Sequence, residues 1–318
     1  MKKKKGLIIL VVILALFVGL YFVLDSGILE KKQDDNANNQ NNIPEIDLSI
    51  TNWPSPAVSI AIENSSGRYT YDHITSPSWQ CLENEKYPLD NAKLDDMAAI
   101  LGKMTATRRL AKNNDNMELF GLNNPAVKVS FASATGLSAQ LKIGMQNPTT
   151  TDYYVYLDGS DAIFMMASSY VDYFLSDLYS YVIVPEFPDL VASEITYAEY
   201  TSDSINFKAN NLSSASSAHS GLITGVNSMY LSKVENPYTE DLAKYGLDAP
   251  YITASFKYEK TEGGLSTGEK EFTLKIGAQD PNDEKYYYAT ISDYPNTVYR
   301  LFYMSLEHLT EAAKNLSK

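Results

Sequence analysis

Several groups of residues have side chains and spacing suited to chemistry. Gly264-Leu265-Ser266-Thr267-Gly268 has the G-x-S-x-G spacing of a nucleophile elbow, where a sharp strand-to-helix turn exposes the serine hydroxyl. Asp280, Asn282, Asp283 and Glu284 put four oxygen donors into one short stretch, the donor type calcium takes, but Lys285 stands where an EF-hand needs its turn glycine. His73, His219 and His308 are far apart in the chain, and no His-x-x-x-His pair offers itself to zinc. Cys81 is the only cysteine, which excludes an intramolecular disulfide and a cysteine-rich metal site. Tyrosine is abundant, 24 in all, and Tyr286, Tyr287, Tyr288, Tyr294, Tyr299 and Tyr303 crowd one stretch. Rings on a sheet face stack on sugars or fill protein interfaces, so Tyr286, Tyr288, Tyr294 and Tyr299 form a candidate interaction surface.

The elements around these groups decide what each can do. Glu271 to Gly277 alternates in polarity as a strand does, so the serine motif is followed by a strand and reads as a glycine turn in a hairpin. The acidic stretch reads as a loop. His73 falls in an expected strand, His219 in a Ser-rich loop and His308 in the last helix. No catalytic, cofactor-binding or metal-ligating residue is assigned.

The chain repeats itself. Phe120-Gly121-Leu122-Asn123-Asn124-Pro125 returns as Tyr245-Gly246-Leu247-Asp248-Ala249-Pro250. Leu141-Lys142-Ile143-Gly144 then returns as Leu274-Lys275-Ile276-Gly277, eight residues later than the first match sets, and Tyr153-Tyr154 as Tyr286-Tyr287 at that second offset. An insertion around Glu262 to Gly268 accounts for the difference. In each copy, alternating apolar residues define a hairpin followed by two more strands, Val127–Phe131 onward in the first and Ile252–Phe302 in the second. Gly121 and Gly246 supply the positive φ that ends a helix or turn, and Pro125 and Pro250 block its continuation. Gly121, Leu122, Pro125, Gly144, Tyr154, Gly246, Leu247, Pro250, Gly277 and Tyr287 are thus the repeat signature, structural in role.

Helices flank the strands. Asp90 is the N-cap of a helix whose apolar face is Leu94, Met97, Ala98, Leu101 and Met104, with Leu89 and Leu94 as a hydrophobic staple. A second helix is expected from Ser168 to Tyr181 with Val171, Phe174, Leu175 and Leu178 inward, and its counterpart from Ser305 to Leu316. The fold class is α+β: an N-terminal transmembrane helix, then two similar repeats, each an antiparallel β-meander flanked by helices.

Ahead of the repeats, Lys2 to Lys5 precede an uncharged apolar run from Gly6 to Leu24. As a helix it measures about 28 Å, enough to cross a bilayer core. The run has no small-x-small cleavage site and no lipid-accepting cysteine behind it, so it reads as an uncleaved signal anchor with the lysines cytoplasmic. The expected organisation is a basic tail at 1–5, an anchor at 6–24, a polar linker at 25–56, and repeats at 57–188 and 189–318. With 26 basic against 39 acidic residues the net charge is −13, which repels nucleic acid.

The anchor, the polar tether, Trp79, the pair Arg108-Arg109, the YGL-xx-P motif, the strand ending in Ile-Gly and the Tyr-Tyr-Val of 153–155 together resemble the bacterial family known as domain of unknown function four-three-four-zero, over roughly residues 57 to 318. That resemblance implies an extracytoplasmic protein of the cytoplasmic membrane, often encoded beside ABC-2 permeases, with no assigned catalytic residue. The expected function is a non-catalytic, membrane-anchored accessory or scaffold that engages an ABC permease complex and needs no cofactor. The alternatives are an envelope module that binds carbohydrate through the tyrosine-rich face, and an enzyme whose site the motifs do not reveal.

Overall fold

Alternation of Val127, Val129 and Phe131, and of Leu141 and Ile143, buries one side of a hairpin formed by β5 (Val127–Ser133) and β6 (Ser138–Gln146). The structure, a computed structural model, describes residues 47–262 and 265–316. The apolar run and most of the polar tether lie outside the described residues. Among the described residues no helix is long and apolar enough to cross a membrane.

The first sheet adds β1 (Ala57–Asn64), β2 (Gly67–Asp72), β3 (Gln80–Cys81), β4 (Arg108–Ala111), β7 (Tyr153–Leu157) and β8 (Ala162–Met166), in the order β3-β2-β1-β5-β6-β7-β8-β4. The second contains β9 (Ile195–Ser202), β10 (Asn206–Asn210), β11 (Leu231–Asn236), β12 (Ile252–Glu262), β13 (Leu265–Gln279), β14 (Tyr286–Ile291) and β15 (Tyr294–Phe302), in the order β10-β9-β12-β13-β14-β15-β11. Except for β3, the two orders superpose strand for strand, and every pairing is antiparallel. The chain is therefore two similar β-rich repeats. Each sheet is more than a meander: a preceding hairpin, β1–β2 or β9–β10, attaches to its first meander strand. A crossover strand, β4 or β11, closes the far edge.

Helices cover one face of each sheet. In the first repeat α1 (Asn91–Gly102) buries Leu94, Met97, Ala98 and Leu101, and the Asp90 carboxylate caps it by accepting from the Lys93 amide at 3.2 Å. The short α2 (Asn114–Leu119) precedes the signature loop. The third helix, α3 (Ser168–Leu175), stops earlier than expected, and a separate 3-10 turn follows at Leu178–Tyr181. The Asn64 amide donates to the carbonyls of Phe174 and Ser176 at 3.2 and 3.0 Å, while the Asp177 carboxylate caps the 3-10 turn through the Ser180 amide. Leu175, expected inward, is exposed. In the second repeat α4 (Ser217–Asn227) packs on α5 (Tyr303–Lys314), and Gly225 allows the approach because a Cβ there would lie 3.2 Å from Leu309 Cα.

One boundary and one residue assignment also shift. Residues 48–56, read as linker, are packed: Thr51 is buried and donates its hydroxyl to the Leu101 carbonyl at 2.7 Å, and Ile50 donates its amide to Met104. Trp53 lies over Phe131, with ring centroids 4.9 Å apart. Apolar side chains alternating within a polar stretch bring this segment onto the sheet. His219 lies in α4, capped by Ser216, instead of in a loop.

Candidate functional site

The repeated motif builds a corner in each sheet. Gly121 and Gly246 have φ of +72° and +66°, the left-handed conformation that glycine tolerates best. Gly121 donates to Glu118 and Leu122 to Met117; Gly246 donates to Ala243 and Leu247 to Leu242. These are paired Schellman bonds, made twice at equivalent positions. The turn then presses its backbone on the sheet. A Cβ on Gly144 would collide with the Phe120 carbonyl oxygen, and one on Gly277 with the Tyr245 carbonyl oxygen. Both glycines sit at a bulge, where β6 and β13 shift register against the next strand. Leu122 and Leu247 are buried beneath the corners.

The strand pairing corrects one sequence match. Gln146 faces Tyr153 while Gln279 faces Tyr287, so Tyr153 corresponds to Tyr287 and Tyr154 to Tyr288. The second loop holds one more residue than the first, which the Tyr-Tyr alignment hid. Phe120 stacks on Tyr154 at 3.9 Å and Tyr245 meets Tyr288 edge-on at 4.9 Å.

The two corners differ in exposure. Tyr245 and Tyr288 are 4% and 6% exposed where their counterparts Phe120 and Tyr154 are half-buried, and the exposed positions of Lys244 and Ala278 in the second corner are held by Leu119 and Met145, 68% and 58% exposed, in the first. In the first corner Asn147 donates to the Tyr154 hydroxyl at 2.7 Å. In the second the corresponding residue is Asp280, fully buried, with Oδ2 2.6 Å from Arg300 Nη2 and Oδ1 accepting from the Asn282 amide. Arg300 also donates to Glu235 at 2.8 Å. Burial would raise the Asp280 pKa, but the Asn282 amide, the Tyr288 hydroxyl and Arg300 outweigh it and hold the carboxyl below its ordinary value. Burial first, then the Asp280 carboxylate, push the Tyr288 phenol up to about 12.

This arrangement dissolves the calcium-like reading of the acidic stretch. Asp280 turns inward to Arg300 while the Asp283 carboxylate accepts from the Lys285 amide. Among the described residues no group of three or more His, Cys, Asp or Glu side chains is placed to hold a metal. The tyrosine surface is also corrected. Tyr299 is fully buried in the core and Tyr288 lies in the second corner, while Tyr286 packs on Phe302 and Tyr294 packs against the core. Alternation along β14 and β15 sends these rings to opposite sides of the sheet, so they form no common face.

The remaining chemical candidates have local roles. Leu265 to Gly268 lie within β13, paired with β12, so no helix follows the serine of the G-x-S-x-G motif. His73 stacks on Trp79 at 4.3 Å, and Trp79 donates its indole N–H to Asp95 at 2.8 Å. The His219 ring accepts from the Ser213 amide at 3.1 Å. Cys81 is buried, and burial first, then its bond to the Glu83 carboxylate, push the thiol up to about 11, where it is inert. Sequence reasoning missed the contrast between the corners, because only the strand register reveals which residues correspond.

The comparisons agree with the duplicated architecture. No curated protein and no solved structure matches the chain significantly. A family model matches in two successive segments, residues 79–204 and 206–318, which together make up most of the chain. The chain belongs to the family described as Domain of unknown function (DUF4340).

Proposed function

We propose that this chain is a membrane-anchored, extracytoplasmic accessory protein without catalysis of its own, which engages an ABC-type transporter complex. The observation that carries the reading is the first corner. It keeps the fold of its twin but places the apolar side chains of Leu119 and Met145 at exposed positions that hold Lys244 and Ala278 in the second, and the strand and turn leading into its helix carry the exposed cations Arg108, Lys112 and Arg109, the last paired with Asp161. Exposed apolar side chains rimmed by charge mark a protein contact. The partner is an extracytoplasmic permease loop with apolar side chains and acidic flanks, the flanks meeting the exposed cations Arg108 and Lys112. The apolar run at 6–24 supplies the anchor, and tethering raises the local concentration of the domain at the membrane.

Crosslinking of the full-length chain in its native membrane tests this, with an anchor-only chain and a Leu119→Asp/Met145→Asp variant as controls. The expected outcome is capture of a permease or ATPase subunit by the wild type, lost in both controls while the variant's melting temperature holds. Capture of no transporter subunit, or equal capture by the variant, overturns the proposal.

A further inference from the structure

The outer face of the second sheet contains a cleft of about 330 Å³ lined by Leu242, Thr273, Lys275, Thr290, Ser292 and Asn296, among others. Its origin is visible in the duplication. In the first repeat Lys142 faces Tyr156 across the strands, and in the second Lys275 faces Thr290. Asp158 donates its amide to the Gln140 carbonyl, and Ser292 donates its amide to the Thr273 carbonyl. The lysine is therefore kept, while Tyr156, Asp158 and Gln140 are replaced by Thr290, Ser292 and Thr273. Lys142 is neutralised by Asp158 at 2.6 Å and lies near the Tyr156 ring. Lys275 has lost both neighbours, and among the described residues no ion pair is formed by it. Around an equivalent lysine the second repeat thus has three smaller side chains and a cavity, where the first has a salt bridge.

We infer that this cleft binds a small hydroxylated carboxylate of the sugar-acid class, with Lys275 holding the carboxylate. The lining chemistry selects that class. A single lysine matches one negative charge, and no arginine lines the cleft to favour a dianion. The Thr290 hydroxyl donates to the Tyr294 carbonyl at 2.8 Å, and the Ser292 hydroxyl, which accepts from the Thr273 amide at 3.1 Å, points its proton to Asp293 at 3.4 Å. With their protons engaged, these hydroxyls offer lone pairs to a ligand's own O–H groups. Leu242 supplies an apolar wall, and the volume falls within the roughly 300–1,000 Å³ of small-molecule sites. This site is separate from the first corner and does not depend on the transporter proposal.

Calorimetric titration of the full chain in detergent micelles with sodium glucuronate tests the inference, with glucose and inorganic phosphate titrated alongside. Saturable binding of glucuronate to one site is expected, weakened at least about tenfold by Lys275→Met, as loss of a charge-assisted contact predicts. Ser292→Asp, which rebuilds the internal ion pair of the first repeat, should weaken it to a similar degree, while Lys142→Met leaves it unchanged. Melting curves establish that each variant is folded. Absence of saturation by about 20 mM, far weaker than a functional site requires, overturns the inference. So does binding that both cleft variants preserve, or binding of glucose or phosphate as tight as that of glucuronate.

Discussion

At the scale of single residues, glycine carries most of the repeat motif, and for reasons that differ between positions. Gly121 and Gly246 are needed for their backbone conformation, whereas Gly144 and Gly277 are needed because a carbonyl oxygen occupies the space of a side chain. Gly277→Ala must push the Tyr245 turn off the sheet, and a loss of about 1–3 kcal/mol in urea unfolding is expected. Gly221 gives the opposite sign. It lies in α4 with nothing within 4 Å of an added Cβ and no positive φ, so Gly221→Ala should gain about 0.5–1 kcal/mol through helix propensity and a less flexible unfolded chain. Equal effects from the two substitutions would show that the close approach is not what retains Gly277. All four motif glycines were legible in the sequence as repeated letters, but the collision that explains Gly277 needed the fold.

At the scale of elements, legibility followed the strength of the local pattern. The helix α1 could be read from Asp90 and its apolar face, because capping and burial reinforce one another. Asp90→Ala removes that cap, and a loss of about 1 kcal/mol in thermal or urea unfolding is expected. An unchanged midpoint would mean that packing of Leu94 and Met97 alone holds the helix start. By contrast α4, with the sequence SAHSGLITGVN, reads as a loop. Its serines and glycines are poor helix formers, and it is held by Leu222 and Val226 in the core and by close packing on α5. The edge strands β4 and β11 were hidden for a related reason: both are short and polar, and their partners β8 and β15 lie far along the chain. The end of α3 depends on Asn64, whose contribution no local window contains.

At the scale of the whole molecule, the two repeats have diverged while keeping one topology. The buried charge cluster of Asp280, Arg300 and Glu235 exists only in the second, where the first has Asn147 in place of Asp280. The repeats also touch directly. Lys86 of the first donates to Tyr238 and Glu240 of the second, and the 3-10 turn lies against β11. Because the folded-state pKa of Asp280 is lowered, the unfolded chain binds more protons in acid, so stability rises with pH through this group. Its contribution is complete above the ordinary carboxylate value and is lost as pH falls from about 5 through the lower folded value. Asp280→Asn should therefore show a flatter decline in melting temperature between about pH 5 and 2 than the wild type. Parallel declines would remove Asp280 from the acid response.

The sequence by itself determined the duplication, the main hairpins, the turn glycines and the family, since these rest on local periodicity and on spacing repeated along one chain. Tertiary structure alone decided which residues of the two copies correspond, that Tyr288 and Tyr299 are buried, and that Lys142 has an ion-pair partner which Lys275, among the described residues, does not. Those outcomes depend on strand register. A shift of one residue exchanges the faces of a strand, and register is set by bulges and pairings between distant segments instead of by the residues on either side.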